Sequence, residues 1–405
     1  MRESYIAKDE IKDSLKLCNF FMKLIGFTLH KPTNLSDIII QKITFTVTVI
    51  YVTIHVFTEL SFLYVTSTNS PRVEDVVPLI HKVGYGILSI SKFTVLYFKR
   101  KVFAQLLDDL ATIWPVPPLA KEAQALKSNS LKSLRIMHSW YFGLNESGVS
   151  FYNITPLCLY LFYHIRGQVY EIKTVWKSWY PFNIYKQKWK HVSIYLFEIF
   201  SGQSCVWVMI STDLLFTGMS NHIILLLKIL QRRLLSLGNS NSTDQENYRE
   251  VVGCIKLHQK LIQYYKDLES AFTLVNLINI CLSSCNICCV LFTIILIEPM
   301  LELSNKLFLG ASLIQIGLIC WYGDDIIQEV CTLTLRIHLK RHMLHNVKCF
   351  QNAKIADAAY NSNWYTLSPR CRRILAILIQ RAQQPIAFTA MGFTNISLIT
   401  YSAVR

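Results

Sequence analysis

Long apolar runs, each near the length of a bilayer crossing, recur along this chain and are separated by loops rich in lysine and arginine. A helix crossing the hydrocarbon core needs roughly 20 mostly apolar residues, because each residue rises only about 1.5 Å. The runs fall at Ile43–Val65, Val76–Phe98, Trp140–Tyr163, Val192–Leu227, Phe272–Ile297 and Leu307–Tyr322. A weaker pair follows at Ile374–Gln384 and Ile386–Val404, divided by Pro385. Seven spans is the economical count, and it predicts an all-α polytopic membrane protein with seven transmembrane helices. The fourth run is too long for one crossing, so its far end is expected to project into water.

Composition agrees with lipid as the main solvent. Of 405 residues, 52% are hydrophobic and only 17% charged, against about 25% charged in soluble domains. Mean hydropathy is +0.31, which excludes a disordered tail protein. The net charge of +15 would suit nucleic acid if its bases lined one face. Instead they form short groups between apolar runs, such as Lys99-Arg100-Lys101 and Arg232-Arg233. No nucleic-acid partner is expected.

The positive-inside count sets the orientation. Residues 1–37 carry Arg2, Lys8, Lys12, Lys16, Lys23 and Lys31 without a signal-peptide pattern. They share a basic side with the Lys99–Arg135 and Lys228–Lys266 loops and the Arg336–Arg373 stretch. The other side holds Ser67–Asp75, His164–His191 and a turn with Lys306; its middle loop is itself basic. The count puts the amino terminus in the cytoplasm and the carboxyl terminus outside, opposite to a G-protein-coupled receptor. No Asp-Arg-Tyr follows the third span and no Asn-Pro-x-x-Tyr lies in the last. A transporter would show inverted repeats or paired broken helices, and only the break at Pro385 is present.

Catalytic patterns are missing. There is no phosphate-cradling loop, G-x-G-x-x-G, H-E-x-x-H or G-x-S-x-G, so neither an enzyme nor a cofactor is expected. None of the twelve Cys falls in an outside loop, which argues against structural disulfides. Cys281, Cys285 and Cys288 share a helix face and are expected to pack between helices as small apolar groups. Ionisable groups within spans are costly. Lys82 and Lys92 are expected to snorkel to opposite interfaces, Glu59 and Glu198 qualify as further intramembrane charges, and Asp213 is expected to face the cytoplasmic extension of its helix.

The second half carries a resemblance. Ile355–Tyr365, with Tyr360 and Trp364, resembles the Tyr-x-x-x-Trp segment before the last helix of insect odorant receptors. Gln380-Arg381-Ala382-Gln383-Gln384-Pro385 resembles their Q-R-A-Q-x-P, and Gly392–Leu398 with Tyr401 the start of their pore helix. Trp321–Asp325 is similar to the inner end of their sixth span, Trp179–Phe182 to the loop before the fourth, and Ser211-Thr212-Asp213 to its middle. The resemblance implies an odorant-tuned subunit rather than the co-receptor. It implies a tetrameric ligand-gated cation channel shared with a co-receptor subunit, in the plasma membrane of olfactory sensory neurons. A small volatile would be the ligand, and membrane lipid the surroundings. The alternatives are a gustatory receptor of the same superfamily, which Gln380–Pro385 argues against, and a G-protein-coupled chemoreceptor.

On this resemblance, 1–37 is a cytoplasmic segment and 38–330 holds spans one to six with the pocket. Residues 331–354 are an insertion, 355–384 a cytoplasmic anchor, and 385–405 the start of a pore-lining helix. In the family that helix continues past the position of Arg405 and carries the narrowest part of the pore. His338, His342, His345 and Cys349 would align as metal ligands on a helix, but they lie in the insertion, so no metal is expected. A volatile's pocket should be apolar with few polar groups; the candidates in the outer halves are Tyr85, Phe151, Tyr152, Thr155, Tyr195, Ile199 and Phe292. Tyr360 and Trp364, with the helix Leu367–Gln384, would hold subunits together, through an apolar stripe of Ile374, Ile377, Leu378 and Ala382. Pro385 breaks the helix between anchor and pore. Thr394, Asn395, Ser397, Leu398 and Tyr401 are the candidate pore residues.

Overall fold

The computed structural model describes residues 2–29, 34–69, 72–168, 174–238, 243–297, 303–331, 353–382 and 387–404. Two amphipathic helices, α1 (Arg2–Ser14) and α2 (Lys16–Leu24), precede α3 (Leu35–Asn69), α4 (Val73–Phe98), α5 (Arg100–Ile113) and α6 (Lys121–Ile165). There follow α7 (Lys188–Leu235), α8 (Asp244–Phe292), α9 (Leu303–Cys331), α10 (Ala353–Tyr360), α11 (Pro369–Ala382) and α12 (Leu398–Val404). A π-helical turn, Thr293–Ile297, continues α8. Among the described residues the fold is all-α apart from one small antiparallel hairpin, β1 (Thr389–Ala390) with β2 (Thr394–Asn395).

Among the described residues, four helices are long and apolar enough to cross a membrane by length and composition alone: α3, α7, α8 with its π turn, and α9. Helices α4 and α6 are long as well, but they bury polar groups, including His81 and Lys92 on α4 and Asn145 and Asn153 on α6. Their polar faces turn inward, which lipid requires.

Helix α7 is the axis of the bundle. Its apolar window is 94% buried, and α2, α3, α4, α6, α8, α9 and α10 all pack on it. Apolar residues are spread round the whole helix, so no single face suits water. Its buried polar groups, such as Glu198 and Asp213, find partners on neighbouring elements. Its far end is covered by other helices. Residues Ile223–Leu227 are buried, and the amino-terminal helices cover this half: Ser14 Oγ lies 2.9 Å from His222 Nε2, and the Cys18 thiol donates to the Ser211 carbonyl at 3.3 Å.

The chain after α9 departs from expectation in several places. Among its described residues, 387–404, the predicted pore helix is helical only from Leu398. Before it, the hairpin turns through Gly392 at φ +78°, a conformation that glycine adopts without a Cβ penalty. Phe388, fully buried, packs the hairpin against Phe216 and Tyr265 with tilted rings at 5.1 and 5.2 Å. In α11 the buried stripe is Cys371, Leu375, Leu378 and Ala382. Ile377 is 66% exposed and Ile374 only partly buried, because the helix is rotated about one position from the predicted face. Cys281, Cys285 and Cys288 are exposed on α8 rather than packed between helices. Pro385 and the His338–Cys349 stripe lie outside the described residues.

Candidate ligand-binding site

Helices α6 and α9 face each other with matching rows. On α6, Asn145, Gly148, Val149 and Tyr152 fall at i, i+3, i+4 and i+7; on α9, Phe308, Ala311, Ser312 and Gln315 repeat that spacing. Residues so spaced share one helix face. Between the rows, closed by Tyr85 of α4 and Val206 of α7, lies a cavity of about 30 Å³. It sits toward the end of the bundle that carries the connections α3–α4, α6–α7 and α8–α9. Such a volume has room for about one or two waters.

The α6–α7 connection supplies the last wall, Trp176. Its ring stacks on Tyr152 at 5.3 Å with planes 11° apart, and Tyr152 OH donates to Asn305 Oδ1 at 2.7 Å. The loop is pinned by Glu198 of α7, which accepts from the Trp176 backbone N–H and from Tyr180 OH, both at 3.0 Å. The Trp179 N–H donates to the Thr58 carbonyl, also at 3.0 Å. Tyr85 meets Phe308 edge-on at 5.4 Å. The ammonium of Lys82 lies 5.7 Å from the Tyr152 ring and 5.9 Å from the Trp176 ring, so it stands over the aromatic wall, within cation–π range.

Below the cavity lies a polar knot spanning five helices. Lys92 Nζ (α4) sits 2.5 Å from Asp213 Oδ1 (α7) with its side chain wholly buried. Asp213 Oδ2 accepts from Tyr141 OH (α6) at 2.7 Å and from Gln315 Nε2 (α9) at 3.0 Å. Gln315 reaches Asn279 (α8) at 3.4 Å. Lys92 therefore does not snorkel, and Asp213 faces the bundle interior rather than a cytoplasmic extension. The buried pair satisfies both charges where water cannot.

Of the seven candidate pocket residues, Tyr85 and Tyr152 line the cavity. Phe151 is 38% exposed on the outer face of α6. Thr155 turns its hydroxyl back to the Phe151 carbonyl. Tyr195 donates to the Asn153 carbonyl at 2.7 Å, while Ile199 packs against the core and Phe292 lies off the cavity wall. The residues missed include the polar and small ones, Asn145, Gly148, Ala311, Ser312 and Gln315, as well as Trp176, Phe308 and two valines. A larger hollow of about 660 Å³ lies between α1, α2, α3 and α5. Its rim of Lys8, Lys12, Lys23, Asp37 and Asp108 shares no residue with this site. Near α11, and outside the spans, burial raises the Asp357 carboxyl to about 6.

Among known proteins, the family model described as 7tm Odorant receptor matches residues 81–337 and 346–405. The chain belongs to the 7tm odorant receptor family. Only 338–345, inside the expected insertion, is passed over between the two matched stretches. Odorant receptor 67c of Drosophila melanogaster is 22% identical over 389 residues, covering 95% of this chain and 90% of that protein. Odorant receptor 85c of the same fly is 24% identical over 396 residues, with 95% and 94% covered. The olfactory receptor OR5 of Machilis hrabei, solved in complex with eugenol, superimposes with a TM-score of 0.78 at 13% identity, covering 98% of this chain and 96% of that one. The odorant receptor described here is thus a seven-span, all-α membrane protein, and its relatives are receptors rather than enzymes.

Proposed function

We propose that this chain is the odorant-binding subunit of a heteromeric ligand-gated cation channel, formed with a co-receptor subunit in the plasma membrane of olfactory sensory neurons. A small volatile binds between α4, α6, α7 and α9, with Tyr85 and Tyr152 in its walls. The observation that carries this reading is the double engagement of α9. One face walls the cavity through Phe308, Ala311, Ser312 and Gln315. Further along, Gly317 lies so close to α12 that a Cβ there would stand 3.5 Å from the Tyr401 ring. A ligand that shifts α9 therefore shifts the pore element, and it opens the channel by binding better to the open arrangement.

The cavity is too small for an odorant at rest, so binding includes widening, and part of the contact energy is spent on it. Of the pore candidates, Thr394 and Asn395 lie in β2, Leu398 is exposed on α12, and Tyr401 packs toward α9. Ser397 instead stands at the start of α12, where its hydroxyl accepts from the Thr400 N–H at 3.4 Å. The exposed Phe393 and Ile399, and Tyr360 and Ile377 on the anchor, offer apolar surface to neighbouring subunits.

Co-expression with a co-receptor in oocytes is expected to give volatile-evoked cation currents that persist when G-protein signalling is blocked. An amino-terminal tag should be reached by antibody only after permeabilisation. Surface-labelled protein that stays silent to a broad volatile panel, or currents that need G proteins, would overturn the proposal.

A sharper test uses Gly148. A Cβ at this position meets nothing within 4 Å, and glycine inside a helix is otherwise unfavourable by about 1 kcal/mol. Gly148→Leu should leave folding intact and place its side chain in the ligand's space. The expected outcome is a rise in half-activating concentration of about tenfold or more, equivalent to about 1.4 kcal/mol, with surface expression unchanged. An unchanged dose response would place the ligand elsewhere.

A further inference from the structure

The polar atoms of the cavity point to the class of volatile it accepts. Asn145, Ser312 and Gln315 are each more than nine-tenths buried and each lines the cavity. The side-chain amides have only one chemically sensible orientation. Asn145 Nδ2 donates to the Tyr141 carbonyl at 2.9 Å, and a carbonyl can only accept. Gln315 Nε2 donates to the Asp213 carboxylate, which likewise only accepts. The amide oxygens of both residues are therefore the groups left over, and among the described residues neither has a donor. The Ser312 hydroxyl is also without a partner among the described residues, although a helical serine commonly bonds back one turn.

Resting on the proposal that this cavity is the odorant site, we infer that its preferred ligand is a hydroxyl-bearing volatile, an alcohol or a phenol. Two buried acceptors need a donor from the ligand, and Ser312 can either give or take. One O–H group donates its single proton to one of these oxygens and accepts from Ser312 through its own oxygen. An aldehyde, ketone or ester offers only acceptors, and an ether or hydrocarbon offers no donor, so the amide oxygens stay unpaired on binding, which is unfavourable. Amines also donate, but as cations they bring a charge into a buried cavity, which is costly. Carboxylate anions meet the two amide oxygens, with Asp213 behind Gln315. The aromatic rings of Tyr152, Trp176 and Phe308 hold the ligand's hydrocarbon part.

The test compares ligands on one framework in oocytes expressing the whole chain with a co-receptor. One series is 1-hexanol, its methyl ether, hexanal and hexane; the other is phenol, anisole, benzaldehyde and benzene. The hydroxyl compound of at least one series should activate at about tenfold lower concentration than its ether and its aldehyde. Sites built around a ligand hydroxyl reject the analogue lacking it far more strongly than apolar pockets reject a missing methylene; the lower figure allows for waters that bridge in its place. Asn145→Leu and Ser312→Ala should each narrow that ratio to below about threefold. The ratio is taken within one variant, so expression level cancels, and either variant alone suffices if the other fails to reach the surface. Currents evoked by ethers or aldehydes as readily as by alcohols overturn the inference while leaving the odorant site standing. An alcohol preference that survives both variants overturns it as well. Silence to both series, and to a broad panel, from surface-labelled receptor overturns the odorant reading itself.

Discussion

Lys92→Met is expected to remove this receptor from the cell surface. The ammonium of Lys92 is wholly buried 2.5 Å from Asp213, in a part of the bundle where neither charge reaches water. Removing the lysine leaves a carboxylate held only by the neutral donors Tyr141 and Gln315. Breaking a buried ion pair from one side costs about 3–5 kcal/mol, a large part of the roughly 5–15 kcal/mol that holds a typical domain together. Asp213→Leu should be comparably damaging, since it strands the lysine and two hydrogen-bond donors. The double variant Lys92→Met/Asp213→Leu removes both charges and should recover part of the loss. It does not recover all of it, because each unpaired buried donor still costs about 1–3 kcal/mol. Surface biotinylation and detergent melting temperature read the cycle. A Lys92→Met protein with unchanged melting temperature would mean that this lysine reaches water after all.

That pair also shows where reading a sequence stops. The apolar runs are legible because bilayer thickness sets their length, and α3, α4, α7 and α9 fall close to the predicted spans, whereas α6 and α8 begin well before theirs, at Lys121 and Asp244. Even the two amino-terminal helices carry a signal: Ala7, Ile11, Leu15, Cys18, Met22 and Ile25 recur at intervals of three and four, and all are buried. What the sequence hides is the rotation of each helix and the identity of its neighbour. Lys92 and Asp213 are far apart along the chain, and nothing local to either announces the other, so snorkelling was the natural expectation for a lone intramembrane lysine.

The candidate pocket illustrates the same limit. A search for aromatics finds Tyr85 and Tyr152, but it also selects Phe151, which the 3.6-residue period turns about 100° away from Tyr152 and off the cavity face. The rows 145/148/149/152 and 308/311/312/315 were present in the sequence, yet small and polar residues do not look like a volatile's pocket. Trp176 sits in a loop, whose path depends on Glu198 and Thr58 rather than on its own residues. On α11, a one-position rotation exchanges Ile377 for Leu375 on the buried face, which the mixed pattern of that helix leaves open.

Gly323→Ala is expected to silence the channel while leaving ligand binding and surface expression in place. Gly323 lies on α9, about two turns beyond Gln315. A Cβ added there would overlap the carbonyl oxygen of Ile396 and stand 2.9 Å from its Cγ2. Intrinsic propensity works the other way: alanine in a helix interior is better than glycine by about 1 kcal/mol. Any loss must therefore come from this contact, where backbone rather than a yielding side chain has to move. Overpacking of this kind costs about 1–3 kcal/mol, and the cheapest relief is for the segment from Ile396 into α12 to back away from α9. In the proposed tetramer α9 stands behind α12, so retreat means movement toward the pore axis and a closed gate. The same energy expressed as a shift in the open-to-closed ratio is about fivefold to 150-fold. Gly310→Ala is the control, since a Cβ at that position on the same helix meets nothing within 4 Å. Whole-cell current at saturating ligand, set against surface label, gives the result. Standing current without ligand would reverse the direction of the coupling, and a wild-type response would show that α9 and the pore helix move independently.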